Sequence, residues 1–202
     1  MRVRKLVLAS ASPARLKVLR AAGIEPEVRV SGVDEEAITA PNPLALVEAL
    51  AVAKAEAVAA GVDDALVLGC DSMLDFDGEV LGKPADETEA RARWKAMAGR
   101  HGVLLTGHAL LDVQDGRIAT RAVGVASTEV TFGAPTPEEL DAYLTSGEPL
   151  RVAGAFTIDG LGGWWIDEIR GDPGTVIGLS LPLLRRLLAD TGTSPTALWS
   201  PR

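Results

Sequence analysis

Two serines, a proline and an arginine fall together in LASASPAR, Leu8 to Arg15, and that order suits the grip of an anion. A strand ending near Leu8 and a helix starting at Pro13 bring backbone N–H groups and the positive end of a helix dipole to one point. Ser10 lies at that junction, and Arg15 offers a guanidinium fork for phosphate oxygens. The same residues also serve as plain structure, with Ser10 and Ser12 capping the helix and Arg15 solvated, and the local sequence leaves both readings open.

Lysine is scarce, with five among 20 basic residues, and two lysines stand in unusual places. Lys54 is alone in AVAKAEAVAA, where the ordinary role of a helix lysine is an exposed partner for a neighbouring glutamate. Lys83 sits in LGKP, where Pro84 restricts the backbone and aims the side chain, or where turn chemistry alone explains it. Among the acids, Asp34-Glu35-Glu36 falls between the first two expected helices, and Asp71 leaves the apolar run ALVLGC at the C-terminal edge of the expected sheet, where ligands collect. A carboxylate there suits holding Mg²⁺ or orienting water, and capping the next turn explains it as cheaply. Cys70, with no basic motif beside it, is expected to be buried and inert. Stock motifs are missing: Gly78 to Pro84 is one residue short of a phosphate loop, Gly160 to Gly163 lacks the sixth-position glycine of a dinucleotide fingerprint, and no GxSxG elbow occurs.

The elements that must position these residues follow from pattern. Val3 to Leu8 reads as a strand, and Ser12-Pro13 as cap and first residue of a helix with Leu16 and Leu19 on its face. Pro43 to Ala60 reads as a second helix stopped by Gly61, and Ala65 to Leu68 as a buried strand. Asp77-Gly78 and Asp115-Gly116 are hairpin signals. Asp86 with Glu89 caps a helix through Met97, Thr136-Pro137-Glu138-Glu139 is a capping box for a helix closed by Gly147, and Leu181 to Leu188 is the last helix. The Trp164-Trp165 pair packs in the core, lines a ligand pocket or forms a dimer interface, with a core role the default for an aromatic pair. The order implies an α/β fold, a mixed sheet flanked by helices with a groove between two lobes.

Composition excludes several functions. The chain has 202 residues, 47% of them hydrophobic, and its formal charge of -8 offers no basic face for nucleic acid or an anionic membrane. No apolar stretch is long enough to span a bilayer. One cysteine and two histidines leave no disulfide within the chain and no multi-cysteine zinc site, and fit a cytoplasmic setting.

Taken together, LASASPAR, VDE at Val33 to Glu35, AVAKA around Lys54, GCDS around Asp71, LGKP around Lys83, GAFTIDG, and VIGLSLP near the end make the chain resemble the Maf family from about Lys5 to Leu188. The resemblance implies one domain over residues 1–190 and an elongated sheet similar to that of inosine triphosphate pyrophosphatases, while the two prolines and missing apolar period after it mark 191–202 as a loose tail. It implies a homodimer that hydrolyses nucleoside triphosphates between the α and β phosphates with a divalent metal, Mg²⁺ or Mn²⁺. Ser10, Arg15, Lys54 and Lys83 then correspond to substrate-binding groups, Lys83 also serving the chemistry, Asp71 to the catalytic acid/base, and Glu35 with Asp71 to the carboxylates linked to metal or water. As a physiological purpose the resemblance implies cleansing of modified nucleotides, cell-division arrest, or both.

Three positions depart from the family's patterns. Thymidine- and uridine-directed members carry arginine, threonine and glutamine where this chain has Ala14, Ser72 and Asp159, and 7-methylguanosine-directed members carry tryptophan, glutamine and glutamate. An ionised Asp159 only accepts hydrogen bonds, which suits the two donors of a guanine edge. The competing expectation is a nucleotide-binding regulator of septum formation that does not hydrolyse its ligand.

Overall fold

The computed structural model describes residues 4–200, so Val3 of the first expected strand and the last two residues of the tail lie outside the described residues. Seven strands form one mixed sheet in the order β2-β1-β3-β5-β6-β7, with β4 on β3. They are β1 (Leu6–Leu8), β2 (Glu27–Val28), β3 (Ala65–Phe76), β4 (Glu79–Leu81), β5 (His101–Gln114), β6 (Arg117–Phe132) and β7 (Ile166–Arg170). Among the described residues six α-helices accompany it: α1 (Pro13–Ala21), α2 (Pro43–Ala59), α3 (Glu87–Met97), α4 (Pro137–Thr145), α5 (Pro173–Ile177) and α6 (Leu181–Asp190). The described residues fold as two compact units, one of residues 4–71, 106–126 and 178–200 and the other of residues 72–105 and 127–177.

In the first unit β1 pairs in parallel with both β2 and β3, with Leu6, Val7 and Leu8 opposite Leu66, Val67 and Leu68. Strand alternation then sorts the core into two faces. Leu6, Leu8, Leu66, Leu68 and Cys70 pack with Leu19 of α1 and Leu183, Leu184, Leu187 and Leu188 of α6. Val7, Ala9, Ala65 and Val67 pack with Ala51, Ala55 and Val58 of α2. Helix α2 lies almost directly on the sheet, because Gly69 and Gly107 face it: a Cβ at Gly69 would overlap the Ala51 carbonyl, and one at Gly107 the Val47 carbonyl. The C-terminal segment is tied down at two points, with Leu198 buried in the α1/α6 core and the Ser200 N–H donating to the Gly23 carbonyl at 2.8 Å.

The second unit is built around Trp94 of α3, which is fully buried. Its indole N–H donates to the Ala155 carbonyl at 2.8 Å, and its ring meets Phe132, Tyr143 and Trp165 edge to face. Trp165 therefore packs as expected, but Trp164 does not: it is 83% exposed, because the 3-10 turn at Leu161–Trp165 sends consecutive side chains in different directions.

Local signals place their elements well. Ser12, Asp86 and Thr136 each accept from the backbone N–H three residues on, and the Thr136–Glu139 capping box is complete. Asp77 and Gly78, and again Asp115 and Gly116, adopt positive φ, the geometry of tight hairpin turns. Where a short strand at Ala65 to Leu68 is expected, β3 runs on to Phe76 without a break. Among the described residues no helix is long and apolar enough to cross a membrane.

Gly69→Ala is expected to push α2 off the sheet and to lower the unfolding free energy by about 1–3 kcal/mol. A drop in the urea midpoint at unchanged slope would register it.

Candidate functional site

The tightest gathering of candidate residues lies in the first unit, where the Lys54 ammonium is held between two carboxylates. Its Nζ is 2.6 Å from Asp71 Oδ1 and 2.8 Å from Glu35 Oε1. Lys54 and Asp71 are buried, with side chains 10% and 7% exposed, whereas the Glu35 side chain is 52% exposed. Lys54 is thus not the solvated helix lysine that its setting in AVAKAEAVAA first suggests. Asp71 follows Gly69 by two residues and shares its face of β3, so the glycine that admits α2 also brings Lys54 within reach of the carboxylate. Two carboxylates around one ammonium leave the cluster with one net negative charge.

Asp71 Oδ2 has no hydrogen-bond partner among the described residues, although it is shielded from solvent. Leaving such an acceptor unsatisfied costs about 1–3 kcal/mol, so a buried orphan oxygen points to a group that joins it in the working protein. As a cation site the donors fit: both are hard carboxylate oxygens. Among the described residues no cluster of three or more His, Cys, Asp and Glu gathers, so Glu35 and Asp71 would supply at most two protein ligands to such a cation.

Ser10 and Arg15 form a second buried contact in the same unit. Arg15 Nη1 donates to Ser10 Oγ at 3.0 Å and Nε to the Gly178 carbonyl at 2.9 Å, so Arg15 is not solvated. Ser12 caps α1 while Ser10 Oγ accepts from the Ser12 N–H, so capping and side-chain anchoring occur together. Ser10 stands two residues beyond the Leu8–Leu68 pair, and Asp71 three residues beyond it, so both lie past the parallel ladder at its C-terminal end.

A residue that the sequence reading missed supports this arrangement. His108 is fully buried; its Nε2 accepts from the Ser180 N–H at 2.9 Å, so Nδ1 carries the proton and donates to the Thr106 carbonyl at 3.0 Å. It thereby fixes the Gly178–Ser180 segment whose carbonyl orients Arg15. Its only sequence signal is a histidine inside a long apolar strand, which a satisfied core histidine gives equally. Cys70 is buried as expected, and burial pushes its thiol up to about 11 against the opposing pull of the Arg15 charge, so it stays protonated at neutral pH.

Lys83 belongs to the second unit and is exposed. The backbone before it is fixed, since the Gly82 carbonyl accepts from Arg93 at 2.6 Å and from the Gly154 N–H at 3.0 Å. Glu89 pairs with Arg93 and accepts from the Ala85 N–H at 2.7 Å, contacts that hold its carboxyl below the ordinary range. Of the base-selectivity candidates, Ala14 is half-buried on α1 of the first unit. Ser72 is half-buried and opens the second unit, and Asp159 is exposed between Phe156 and the turn at Leu161–Trp165. A cavity of about 410 Å³ is lined by Arg4, Lys5, Arg29 and Asp64, among others, at the opposite end of β1 and β3, and it contains none of the candidate residues.

The chain matches the family described as Maf-like protein over residues 5–191. It is 64% identical to a protein of Streptomyces coelicolor named nucleoside triphosphate pyrophosphatase, over 98% of this chain and 96% of that one. A protein of Saccharopolyspora erythraea with the same name is 56% identical over 98% of each chain. A solved structure, the Staphylococcus aureus Ham1 protein, matches at a TM-score of 0.37 and 14% identity, covering 63% of this chain and 72% of that one.

Lys54→Met strands a buried Asp71 charge and is expected to destabilise the protein by about 3–5 kcal/mol. Adding Asp71→Leu should restore most of that loss in a denaturant-unfolding cycle, and simple additivity of the two changes would show that the pair is not the stabilising unit.

Proposed function

The chain belongs to the Maf-like protein family, and on that premise we propose that it is a nucleoside triphosphate pyrophosphatase whose chemistry centres on Asp71. The reaction is attack of water on the α phosphorus, with cleavage of the bond to the bridging oxygen, giving a nucleoside monophosphate and pyrophosphate. The observation that carries the reading is the divided Asp71 carboxylate, with Oδ1 held by Lys54 and Oδ2 buried and unpartnered. An oxygen so placed is free to accept a proton from the attacking water, while the fixed Oδ1 keeps the carboxylate from turning away.

A triphosphate carries three to four negative charges, and more charge gathers on the leaving pyrophosphate as the bond breaks. Arg15 supplies fixed positive charge against it, Ser10 supplies a hydroxyl donor, and Lys54 is the cation nearest the reacting carboxylate; Lys83 is a further substrate-binding and catalytic group in the same reading. Glu35 and Asp71 would hold a divalent metal, Mg²⁺ or Mn²⁺. When bound, that metal offsets phosphate charge and makes its water more acidic. The half-exposed Glu35 and the buried Asp71 fit the two ends of such a site, one open to solvent and one closed.

Ala14, Ser72 and Asp159 set the base preference in this reading. Asp159, an acceptor only when ionised, favours a guanine-type edge over uracil or thymine. A homodimer in the cytoplasm is part of the same proposal, and the single, buried cysteine suits a reducing compartment. A role confined to nucleotide binding, as in a regulator of septum formation, gives the orphan Asp71 oxygen nothing to do, which favours turnover.

Asp71→Asn should abolish pyrophosphate release in Mg²⁺ or Mn²⁺ while the circular dichroism spectrum stays that of the wild type, and a variant keeping most of the wild-type kcat would refute the assignment. Asp159→Gln should reorder the nucleoside triphosphates ranked by kcat/KM, moving pyrimidines up. An unchanged ranking would remove Asp159 from base reading.

A further inference from the structure

The glycine-rich stretch Gly154 to Gly163 has no part in the phosphate chemistry above, yet its second half is gathered onto a single carboxylate. Glu148 Oε1 accepts from the Thr157 hydroxyl at 2.6 Å, from the Gly162 N–H at 3.0 Å and from the Tyr143 hydroxyl at 3.2 Å. Its Oε2 accepts from the Leu161 N–H at 3.0 Å. Thr157, Leu161 and Gly162 bracket Asp159 on both sides. The glycines explain how the backbone comes so near: a Cβ at Gly160 would strike Glu148 Oε2 and Thr157 Oγ1, and one at Gly162 would strike the Tyr143 hydroxyl.

From this convergence we infer that Glu148 is the positioning residue for the 157–162 loop and governs base preference by holding Asp159 in place. The inference rests on the nucleotide reading above, since it concerns how that site chooses among bases.

An ionised carboxylate is an acceptor at both oxygens, and here every neighbour is a donor. Burial on its own would push the Glu148 carboxyl up, but the bonds from Thr157, Gly162, Leu161 and Tyr143 outweigh it and hold it below the usual carboxylate range. The charge is therefore present at neutral pH. Burial and the neighbouring Glu148 charge also raise the Tyr143 hydroxyl, which keeps it protonated and donating. A glutamine at this position has one acceptor oxygen and turns an NH₂ toward donors, so the loop would lose at least one anchor and its fixed shape.

The test is a cycle of Glu148→Gln, Asp159→Ala and the double variant in the full chain. Each is assayed for pyrophosphate release on the best and the worst nucleoside triphosphate of the wild type, and the exchange of backbone amides with deuterium is followed in parallel. Glu148→Gln should shrink the ratio of the two kcat/KM values by about tenfold or more, chiefly through KM. It should change that ratio little further in the Asp159→Ala background, and the Leu161 and Gly162 amides should exchange faster while those of β3 do not. An unchanged ratio, additive losses in the double variant, or a uniform fall in kcat for both nucleotides would overturn the inference while leaving the enzyme reading intact. Failure of the wild type to release pyrophosphate from any nucleotide would instead defeat the reading beneath it, before any variant is made. If Glu148→Gln does not fold, Thr157→Val removes one of the four bonds and carries the test in the same direction with a smaller change; no change in the ratio would then count against the inference.

Discussion

The structure of the first unit turns on one constraint, a lysine ammonium that must be brought into the interior and set against a buried carboxylate. Neither charge is tolerable there alone, because an unpaired ion in a poorly solvated interior costs several kcal/mol. The pair therefore has to form with good geometry, and the 2.6 Å contact between Lys54 and Asp71 requires α2 to approach the sheet more closely than side chains on both surfaces would permit. Gly69 and Gly107 remove the obstruction on the sheet side, and Ala51 and Ala55 are small enough on the helix side. Where α2 crosses Gly69, the residues it presents are the small Ala51 and Ala55, while the larger Val47, Leu50 and Val58 are buried elsewhere along the helix.

The same constraint leaves Asp71 asymmetric. One oxygen is committed to a cation that comes with the fold, and the other faces a place where no described residue supplies a donor. A carboxylate with both oxygens satisfied would be a structural ion pair and nothing more. Arg15 shows the same economy on the other face of the sheet, where Ser10, the Gly178 carbonyl and, behind them, His108 set the direction of the guanidinium. In both places the cation is fixed by the fold itself, so the entropy of ordering it is met during folding.

Much of this is legible in the sequence wherever the cause is local. Ser12-Pro13, Asp86 with Glu89, Thr136 with Glu139 and the two Asp-Gly turns act within four residues, so the chain states them directly. Burial of Lys54 is not legible, because α2 is apolar on nearly every side and offers no polar stripe to show which face meets the sheet. Gly69 and Gly107 read as weak points in strands until the Ala51 and Val47 carbonyls opposite them are known. The 3-10 turns between Pro149 and Trp165 have no periodic signal, and the side chain that organises part of them, Glu148, lies outside every motif that carries the family resemblance. The family resemblance reaches Asp71, Lys54 and Arg15 as residue types in order, but only coordinates distinguish a buried, oriented cation from a solvated one.

The formal charge of -8 adds a last constraint, since a nucleoside triphosphate is itself strongly anionic. The field of the whole protein repels such a ligand and gives no help to its approach, with the repulsion fading beyond about 8 Å at physiological ionic strength. Recognition must then come from short-range contacts in places where screening is weak. In the proposed reading the buried Arg15 meets that need, because partial removal from water strengthens its pull on a phosphate oxygen at close range while leaving little positive field outside. A site of the kind proposed favours ligands with several anionic oxygens close together over polyanions that spread their charge along a chain.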